Sequence, residues 1–177
     1  KTDILMRASL NREWQMGTLQ LDFQLPRRFG LRYSAPDGSE RTPVVIHRVI
    51  YGSLERFVGI LIEHFAGALP LWLAPEQVRV LSIADRHAPY AREVARRLRA
   101  QGLRVQVDDT NERIAYKIRQ AQVMKVPYML VVGDREVETG QVAVRHRETG
   151  DLGAMDVEAF ARRALDEASA PLRGTSS

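Results

Sequence analysis

The chain contains 177 residues, 45% of them hydrophobic, and has a formal net charge of +4. This length and composition suit one or two domains with a sizeable core, and the mild basic excess permits a nucleic-acid partner without requiring one. The sequence has no cysteine, which excludes disulfides, thiol nucleophiles and thiolate metal ligands, and it has no apolar run long enough to cross a bilayer, so a soluble cytoplasmic protein is expected.

The first residues predict a β-hairpin. Residues 2–8 read as a strand that starts without an initiator methionine, which favours a fragment of a longer protein, and residues 14–23 read as the returning strand. Alternation along the second strand divides its side chains between two faces. One face carries Met16, Thr18, Gln20 and Asp22, and the other carries Leu19, Leu21 and Phe23. Such a polar face is typical of solvent exposure, but it can also line a polar pocket.

The next stretch combines a loop, a strand and a helix. Residues 26–42 read as a loop, in which residues 35–38 (A-P-D-G) have the composition of a turn. Residues 43–51 alternate as a strand, and Ser53 is a suitable N-cap for the helix that follows at residues 54–65. Because this helix is apolar on almost all sides, we expect it to be buried.

Two side chains in this stretch do not serve packing. Arg56 falls in the first turn of the helix, where the macrodipole disfavours a cation, so it needs an anion such as Glu55, another carboxylate or a bound phosphate. His47 is a single imidazole in a strand that is otherwise suited to a core. Taken one at a time, both residues are better explained by structure than by function.

A domain boundary is predicted where the helical pattern stops. Pro70 and Pro75 flank a short apolar segment, after which the composition changes. We expect a first domain at residues 1–73, with an antiparallel sheet and one long buried helix, and a second domain at residues 74–177. Residues 171–177 are expected to form a disordered tail.

Strands and helices alternate in the second domain at a spacing typical of βαβ units. Strands are predicted at residues 78–84, 103–107, 127–132 and 141–147, and helices at residues 88–100, 112–123 and 155–168. The expected fold is α/β, with a mostly parallel sheet flanked by helices. Four arginines of the first of these helices are expected to form a solvated face, with contact to an RNA backbone as the alternative: Arg92, Arg96, Arg97 and Arg99.

The segment G-S-L-E-R-F at residues 52–57 resembles motif 3 of class II aminoacyl-tRNA synthetases. With I-H-R-V-I before it, the segment resembles the threonyl-tRNA synthetase version closely. Further blocks match that family in order: R-E-W-Q-x-G-T-L-Q-L-D-F, N-E-R-I-A-Y-K-I-R, V-P-Y-M-L-V-V-G-D-R-E-V-E and V-A-V-R. The resemblance covers essentially the whole chain. It implies the end of a class II catalytic domain followed by an anticodon-binding domain, in an enzyme that uses ATP to join threonine to its tRNA.

The resemblance implies roles for six positions of the first domain. Arg56 matches the motif 3 arginine that packs against adenine and reaches the ATP phosphates, so it is the candidate catalytic residue. The ATP-binding positions are Gln15, Thr18, Gly52 and Arg56. The positions that face the amino acid are Gln20 and Ser53. Magnesium is expected to accompany ATP, since the chemistry consists mainly of positioning and of neutralising phosphate charge.

His47 matches a zinc ligand of the family. In that family zinc coordinates the amino and hydroxyl groups of threonine, which separates threonine from valine far better than an apolar pocket does. The family completes the site with a cysteine and a second histidine earlier in the chain, and this sequence has neither. His47 alone cannot hold zinc. In the family, the region before the part matched by this sequence also carries motifs 1 and 2. Because this sequence lacks that region, the chain by itself is expected to be inactive.

Four positions of the second domain match residues that read the anticodon in the family: Asn111, Arg119, Glu136 and Arg145. Amide, carboxylate and guanidinium groups suit the edges of splayed bases, although a solvated polar face would look the same. We expect Asn111 and Arg119 at and near a helix N-terminus, and Glu136 and Arg145 flanking a hairpin.

The resemblance also implies tRNA(Thr), ATP and threonine as partners and a homodimer formed through the catalytic domain. Two alternatives are left open. The chain could be a catalytically dead synthetase-like module that binds RNA or regulates, which an intact Arg56 argues against. It could also be an antibiotic-insensitive duplicate of the enzyme, because Met16 replaces a cysteine that is often seen at this position.

Overall fold

A computed structural model describes residues 1–8 and 11–169 of the chain. It divides into two compact units, with the first ending at Ala66 and the second beginning at Gly67. Residues 67–73, which we assigned to the first domain, therefore pack with the second unit. The predicted tail at residues 171–177 lies outside the described residues. No helix within those described ranges has the length and apolar character needed to cross a membrane.

The first unit is built on a three-stranded antiparallel sheet in the order β1-β2-β5. Its elements are β1 (Thr2–Arg7), β2 (Glu13–Asp22), α1 (Leu25–Arg28), β3 (Tyr33–Ser34), β4 (Glu40–Arg41), β5 (Val45–Val49) and α2 (Leu54–His64). The predicted loop contains a short helix and a β3–β4 hairpin, and its predicted turn is confirmed, since the Gly38 amide donates to the Ala35 carbonyl.

Helix α2 is less buried within this chain than its composition predicts. Ile60 is its one buried residue, whereas Leu54, Val58 and Ile62 are 66%, 44% and 49% exposed. The physical reason is that the small sheet offers a single surface, so the helix packs through one flank. Ile60 joins Ala8 and Met16 in a core cluster, and Trp14 and Phe57 pack against it.

The second unit contains a five-stranded sheet in the order β10-β9-β8-β6-β7. Its elements are β6 (Val78–Ser82), α3 (Ala88–Ala100), β7 (Val105–Asp108), α4 (Ile114–Val123), β8 (Tyr128–Val132), α5 (Asp134–Thr139), β9 (Gln141–His146), β10 (Gly150–Asp156) and α6 (Val157–Ser169). Strand β6 pairs in parallel with β7 and β8, but β9 and β10 add antiparallel pairs. The sheet is therefore mixed, and the prediction of a mostly parallel sheet was wrong for its β9–β10 side.

Helices cover this sheet on two faces. Leu130 and Val144 point to the face that packs against α3 and α6, in the larger core cluster. Leu81 and Met129 point to the opposite face, where they contact Ala121 of α4. This arrangement places α4 and the loop before it on a face of their own.

Two arginines fasten residues 68–74, the connecting segment, to the second unit. Arg147 donates to the carbonyls of Ala68 and Leu69 at 3.0 and 2.8 Å. Arg104 donates to the carbonyls of Trp72 and Ala74, both at 2.9 Å. Carbonyls that would otherwise lose water are thus satisfied by charged donors.

Candidate functional site

Strand β2 contains a β-bulge that sets which side chains share a face. Leu5 pairs with Gln15 and Ile4 pairs with Gly17, so Met16 is the extra residue. A bulge reverses the alternation of faces on its two sides. Met16 consequently turns into the core cluster, where it is 6% exposed. The prediction that Met16 shares a face with Thr18 was wrong, and Met16 does not belong to the polar face.

The bulge brings Gln15 and Thr18, the predicted ribose-side residues, onto one face. Gln15 Nε2 donates to Thr18 Oγ1 at 2.9 Å and to Asp3 Oδ1 at 2.7 Å. Thr18 Oγ1 also donates to Asp3 at 3.0 Å. Sequence reasoning missed Asp3, because its contact with Gln15 depends on a bulge that simple alternation does not reveal.

The polar face continues along β2 to His47 on the neighbouring strand. Gln20 is paired with His47 across the strands, and His47 Nε2 lies 3.1 Å from Asp22 Oδ2. Asp22 also accepts bonds from the amides of Gln24 and Leu25. The Leu25 amide, followed by the His47 ring and the Gln24 amide, lowers the pKa of Asp22. His47 is exposed, so it is not part of a core.

These residues do not by themselves make a zinc site. Across residues 1–8 and 11–169, no group of three or more histidine, cysteine, aspartate or glutamate side chains is arranged to hold a metal. His47 and Asp22 supply one imidazole and one carboxylate, whereas a protein zinc site needs at least three ligands. The pairing of a histidine ring with a carboxylate does match the way in which proteins orient a metal-binding imidazole.

Gly52 and Ser53 form the turn into α2. Gly52 has φ +69°, and a Cβ on it would lie 3.3 Å from the Gln15 carbonyl oxygen, so this position favours glycine on two grounds. The Ser53 hydroxyl accepts a hydrogen bond from the Arg56 amide at 3.2 Å, which confirms the predicted N-cap. The turn thus fixes the start of α2 against the bulge of β2.

Arg56 is exposed in the first turn of α2. Its Cζ lies 6.0 Å from the ring centroid of Trp14, within the range of a cation–π contact. Within the described part of the chain, neither Glu55 nor any other carboxylate pairs with its guanidinium. Of the anions considered from the sequence, a bound phosphate is therefore the one that stays open. Trp14 was not anticipated as the neighbour of Arg56.

Arg145 of β9 lies on the same face of the second sheet as α4. It pairs in register with Met129, which contacts α4, and cross-strand neighbours point to the same side. Its Nε atom is buried and has no partner among the described residues. The nearest carboxylate, that of Asp151, is 3.8 Å away, too far for a hydrogen bond. Arg145 therefore has an unused donor.

Asn111 and Arg119 are exposed at and beyond the start of α4. Asn111 lies in the loop between β7 and α4, and Arg119 lies within α4. Neither side chain makes a hydrogen bond or an ion pair to another residue that the structure describes. Both are thus available to a ligand, on the face that also carries Arg145.

Glu136 lies in the short helix α5, which joins the antiparallel neighbours β8 and β9 and precedes the β9–β10 hairpin. Its Oε2 atom accepts from the Gly133 amide at 2.9 Å and caps the start of the helix. The helix is held by its first residue, since Arg86 and His87 both donate to Asp134. The Arg86 guanidinium, and then the His87 ring, hold the pKa of Asp134 well below its usual range.

The four arginines of α3 all have partners within this chain. Arg92 pairs with Asp109, Arg96 with Glu93 and Arg97 with Glu158. Arg99 donates to the Val105 carbonyl. The prediction of a solvated face agrees with the exposure of Arg92, Arg96 and Arg99, while Arg97 is half-buried.

Comparison with known proteins matches both parts of the chain. A family model described as the anticodon binding domain matches residues 77–167, and one described as the tRNA synthetase class II core domain (G, H, P, S and T) matches residues 1–65. Threonine–tRNA ligases of Caldanaerobacter subterraneus and Desulforamulus reducens are 57% and 58% identical over 94% of this chain. The chain spans 26% of the length of these relatives.

The chain is also similar to a solved structure, the RNA binding domain of threonyl-tRNA synthetase from Cryptosporidium parvum. The match covers 93% of this chain and 42% of the other chain, with a TM-score of 0.84 and a sequence identity of 38%. The match to the structure of a putative threonyl-tRNA synthetase from Aeropyrum pernix covers 97% of this chain and 41% of the other chain, with a TM-score of 0.65 and a sequence identity of 28%. The order of the two domains is that implied by the sequence motifs. The chain belongs to the threonyl-tRNA synthetase family of class II aminoacyl-tRNA synthetases, as a segment of the class II core followed by an anticodon-binding domain.

Proposed function

We propose that this chain is the C-terminal part of a threonine–tRNA ligase, which activates threonine with ATP and magnesium to threonyl-adenylate and transfers it to tRNA(Thr). The observation that carries the proposal is the guanidinium of Arg56, which lies in the first turn of α2 above Trp14 and pairs with no carboxylate among the residues that the structure describes. A cation in that place is disfavoured by its own helix and is stabilised by an added anion. The phosphates of ATP supply that anion.

The polar face of β2 is proposed to hold the nucleotide beside Arg56. Gln15 and Thr18 already share hydrogen bonds, so their polar atoms converge on one region. Gly52 closes the turn against the Gln15 carbonyl and leaves no side chain there. Catalysis in such a site consists of aligning the threonine carboxylate with the α-phosphate and of neutralising the charge that develops on phosphate oxygens, which is the task of Arg56.

Threonine is proposed to bind on the same face, next to Gln20, Ser53 and His47. Gln20 is paired with His47 across the strands, which places an amide and an imidazole side by side. Zinc, when bound in this family, coordinates threonine. Of the family's zinc ligands this chain supplies His47, whose imidazole would be oriented by Asp22.

The second unit is proposed to read the anticodon with Asn111, Arg119, Glu136 and Arg145. The support is that Arg145 and α4 share a face of the sheet and that the side chains of Asn111 and Arg119 have no described partner. Arg145 keeps a buried Nε–H that a base edge can satisfy. In keeping with this function, we infer a cytoplasmic homodimer.

A graft tests the proposal. The chain replaces the matching segment of the Caldanaerobacter ligase, with which it shares 57% of its residues, and threonylation of tRNA(Thr) is measured. We expect activity within about tenfold of the parent enzyme, because the chemistry depends on the matched residues. A folded graft that binds tRNA(Thr) but forms no threonyl-adenylate would instead support the alternative of a dead RNA-binding module.

A further inference from the structure

Lys117 is a buried cation that the proposed reaction does not use. It lies in α4 and is 1% exposed. Its ammonium group donates to the carbonyl of Ser82 at 2.9 Å, to the carbonyl of Asp108 at 3.1 Å and, more weakly, to the Ser82 hydroxyl at 3.4 Å. A buried ammonium group is tolerated only where its three N–H donors find acceptors. Lys117 therefore sits in a built site rather than in a chance position.

The two carbonyls belong to the ends of neighbouring parallel strands. Ser82 is the last residue of β6 and Asp108 is the last residue of β7, and Leu81 pairs with Asp108 in register. Lys117 thereby joins three elements, β6, β7 and α4, at the carboxyl edge of the sheet. The loop that contains Asn111 starts at this point.

The loop of residues 109–113 is fixed from several sides while its Asn111 side chain is left free. The Asp108 carboxylate accepts from the Thr110 amide at 3.2 Å and from the Thr110 hydroxyl at 2.6 Å. Asp109 pairs with Arg92 of α3 at 2.6 Å. These contacts restrain the backbone that carries Asn111, while the Asn111 side chain is exposed and makes no bond within the described residues.

We propose that Lys117 is a positioning residue for RNA recognition, which sets the place of Asn111 by tying the end of β7 to α4. This inference rests on the proposed reading of the anticodon by the second unit. The residue itself does not touch RNA, because its amine is enclosed. It acts by holding the Asp108 carbonyl, from which the Asn111 loop departs, at a constant distance from the helix that carries Arg119.

A double-mutant cycle tests the inference on the 177-residue chain. Binding is measured by fluorescence anisotropy with an anticodon stem-loop of tRNA(Thr). Asn111→Ala and Lys117→Met are each expected to weaken binding about tenfold, the usual effect of losing one base contact. If Lys117 acts through Asn111, the double variant binds about as weakly as Asn111→Ala alone. Independent effects would multiply to roughly a hundredfold and would overturn the inference.

Lys125→Met is the matched control, because Lys125 is an exposed lysine that follows the same helix. It is expected to leave the selectivity for the threonine stem-loop unchanged. Circular dichroism checks that each variant is folded at the assay temperature. A loss of stability alone lowers the active fraction of protein and weakens binding of all RNAs equally. Mispositioning of Asn111 instead lowers the affinity for the threonine stem-loop relative to the affinity for a stem-loop with an altered anticodon base.

A second variant keeps the test decisive if Lys117→Met does not fold. Thr110→Val retains Lys117 and the bond from the Thr110 amide, but at this exposed position it removes the shorter bond from the Thr110 hydroxyl to the Asp108 carboxylate. It is expected to lower the selectivity and to be non-additive with Asn111→Ala, and unchanged binding would overturn the inference. If the unmodified chain does not distinguish the threonine stem-loop from one with a scrambled anticodon, the proposed function fails before Lys117 is tested.

Discussion

The guanidinium of Arg56 lies over the indole ring of Trp14, with Cζ 6.0 Å from the ring centroid. An arginine that stacks on an aromatic ring keeps all of its N–H donors at the edge of its plane. Those donors point to no carboxylate within the described residues. The arrangement holds a planar cation in place without neutralising it, which is what a site for a phosphate group requires.

Replacement of Arg56 by alanine should separate catalysis from folding. In the grafted ligase we expect Arg56→Ala to reduce threonine-dependent pyrophosphate exchange at least about a hundredfold, as for other groups that stabilise charge in a transition state. The free energy of unfolding should change by only about 0.5–1 kcal/mol, the size of an exposed cation–π contact. Arg41→Ala, in the β3–β4 hairpin, is the control, and an equal loss of exchange in that variant would contradict the assignment.

Two glycines of the first unit should respond to alanine in opposite directions. Gly52 has φ +69° and approaches the Gln15 carbonyl, so Gly52→Ala should destabilise the unit by about 1–3 kcal/mol. Gly59 lies inside α2 with open space around it, so Gly59→Ala should stabilise the unit by about 0.5–1 kcal/mol.

Urea unfolding with Trp14 as the reporter measures both effects. The sequence has two tryptophans, and Trp72→Phe removes the one in the second unit. A neutral Gly52→Ala would show that the turn into α2 relaxes more easily than its φ angle indicates.

Arg145 should serve recognition and not the chemistry of activation. Because its Nε atom is buried without a described partner, its removal costs the fold no strong bond, and Arg145→Ala should weaken binding of the anticodon stem-loop about tenfold. Adenylate formation in the grafted ligase should stay nearly unchanged. Arg96→Ala is the control, since Arg96 is an exposed arginine that pairs within α3. Parallel losses of RNA binding and adenylate formation would assign Arg145 to folding instead.

Asp134 should make the second unit sensitive to acid. Arg86 and His87 lower the pKa of Asp134 from its ordinary value of 3.8, so the unfolded chain binds this proton more readily than the folded chain. The stabilisation is complete above the ordinary value and is lost as the pH falls through the lower pKa of the folded state. Asp134→Asn should therefore flatten the acid limb of the stability curve below about pH 4 and leave the curve above that pH unchanged in shape.

Glu138→Gln is the control for Asp134, because Glu138 is exposed on the same helix. Urea unfolding with Trp72 as the reporter gives both stability curves. An acid limb that keeps its slope in Asp134→Asn would locate the acid sensitivity elsewhere in the unit.

Tyr128 should give the opposite, alkaline dependence. Burial, and then its hydrogen bond to Glu167, raise the pKa of Tyr128 from 10.0 to about 12. The folded state holds this proton more tightly, so the stabilisation is present below pH 10.0 and is lost as the pH rises through about 12. Tyr128→Phe should flatten the alkaline limb, while Tyr116→Phe, at an exposed tyrosine, should not. Unfolding followed as a function of pH measures the difference.

The sequence predicts the repeating elements well and the irregular ones poorly. The strands of the second unit follow from their hydrophobic patterns. The N-cap at Ser53 follows because serine is strongly preferred at the N-cap position of a helix. The bulge at Met16 does not, because one extra residue reverses the faces without changing the composition of the strand. Strand β10 was missed because two of its seven residues, Gly150 and Gly153, are glycines, so its sequence lacks the alternating pattern of a strand.

The sequence supplied candidate residues for the site but not the contacts that those residues make. Motif resemblance supplied Arg56, Gln15 and Thr18, whereas Trp14 and Asp3 enter only when the strands are placed beside one another. The burial of α2 was overestimated because hydrophobicity reports what a helix can bury, and the partners available decide how much it does bury.

The hydrogen bonds of Arg147 have a practical consequence for anyone who wishes to express the anticodon-binding part alone. Its guanidinium donates to backbone oxygens at positions 68 and 69, and its side chain is only 12% exposed. A gene shortened to begin at residue 74 would remove these acceptors together with Leu71, which is buried in the main core cluster of the second unit. Starting the reading frame at Gly67 retains them and should yield the more soluble product.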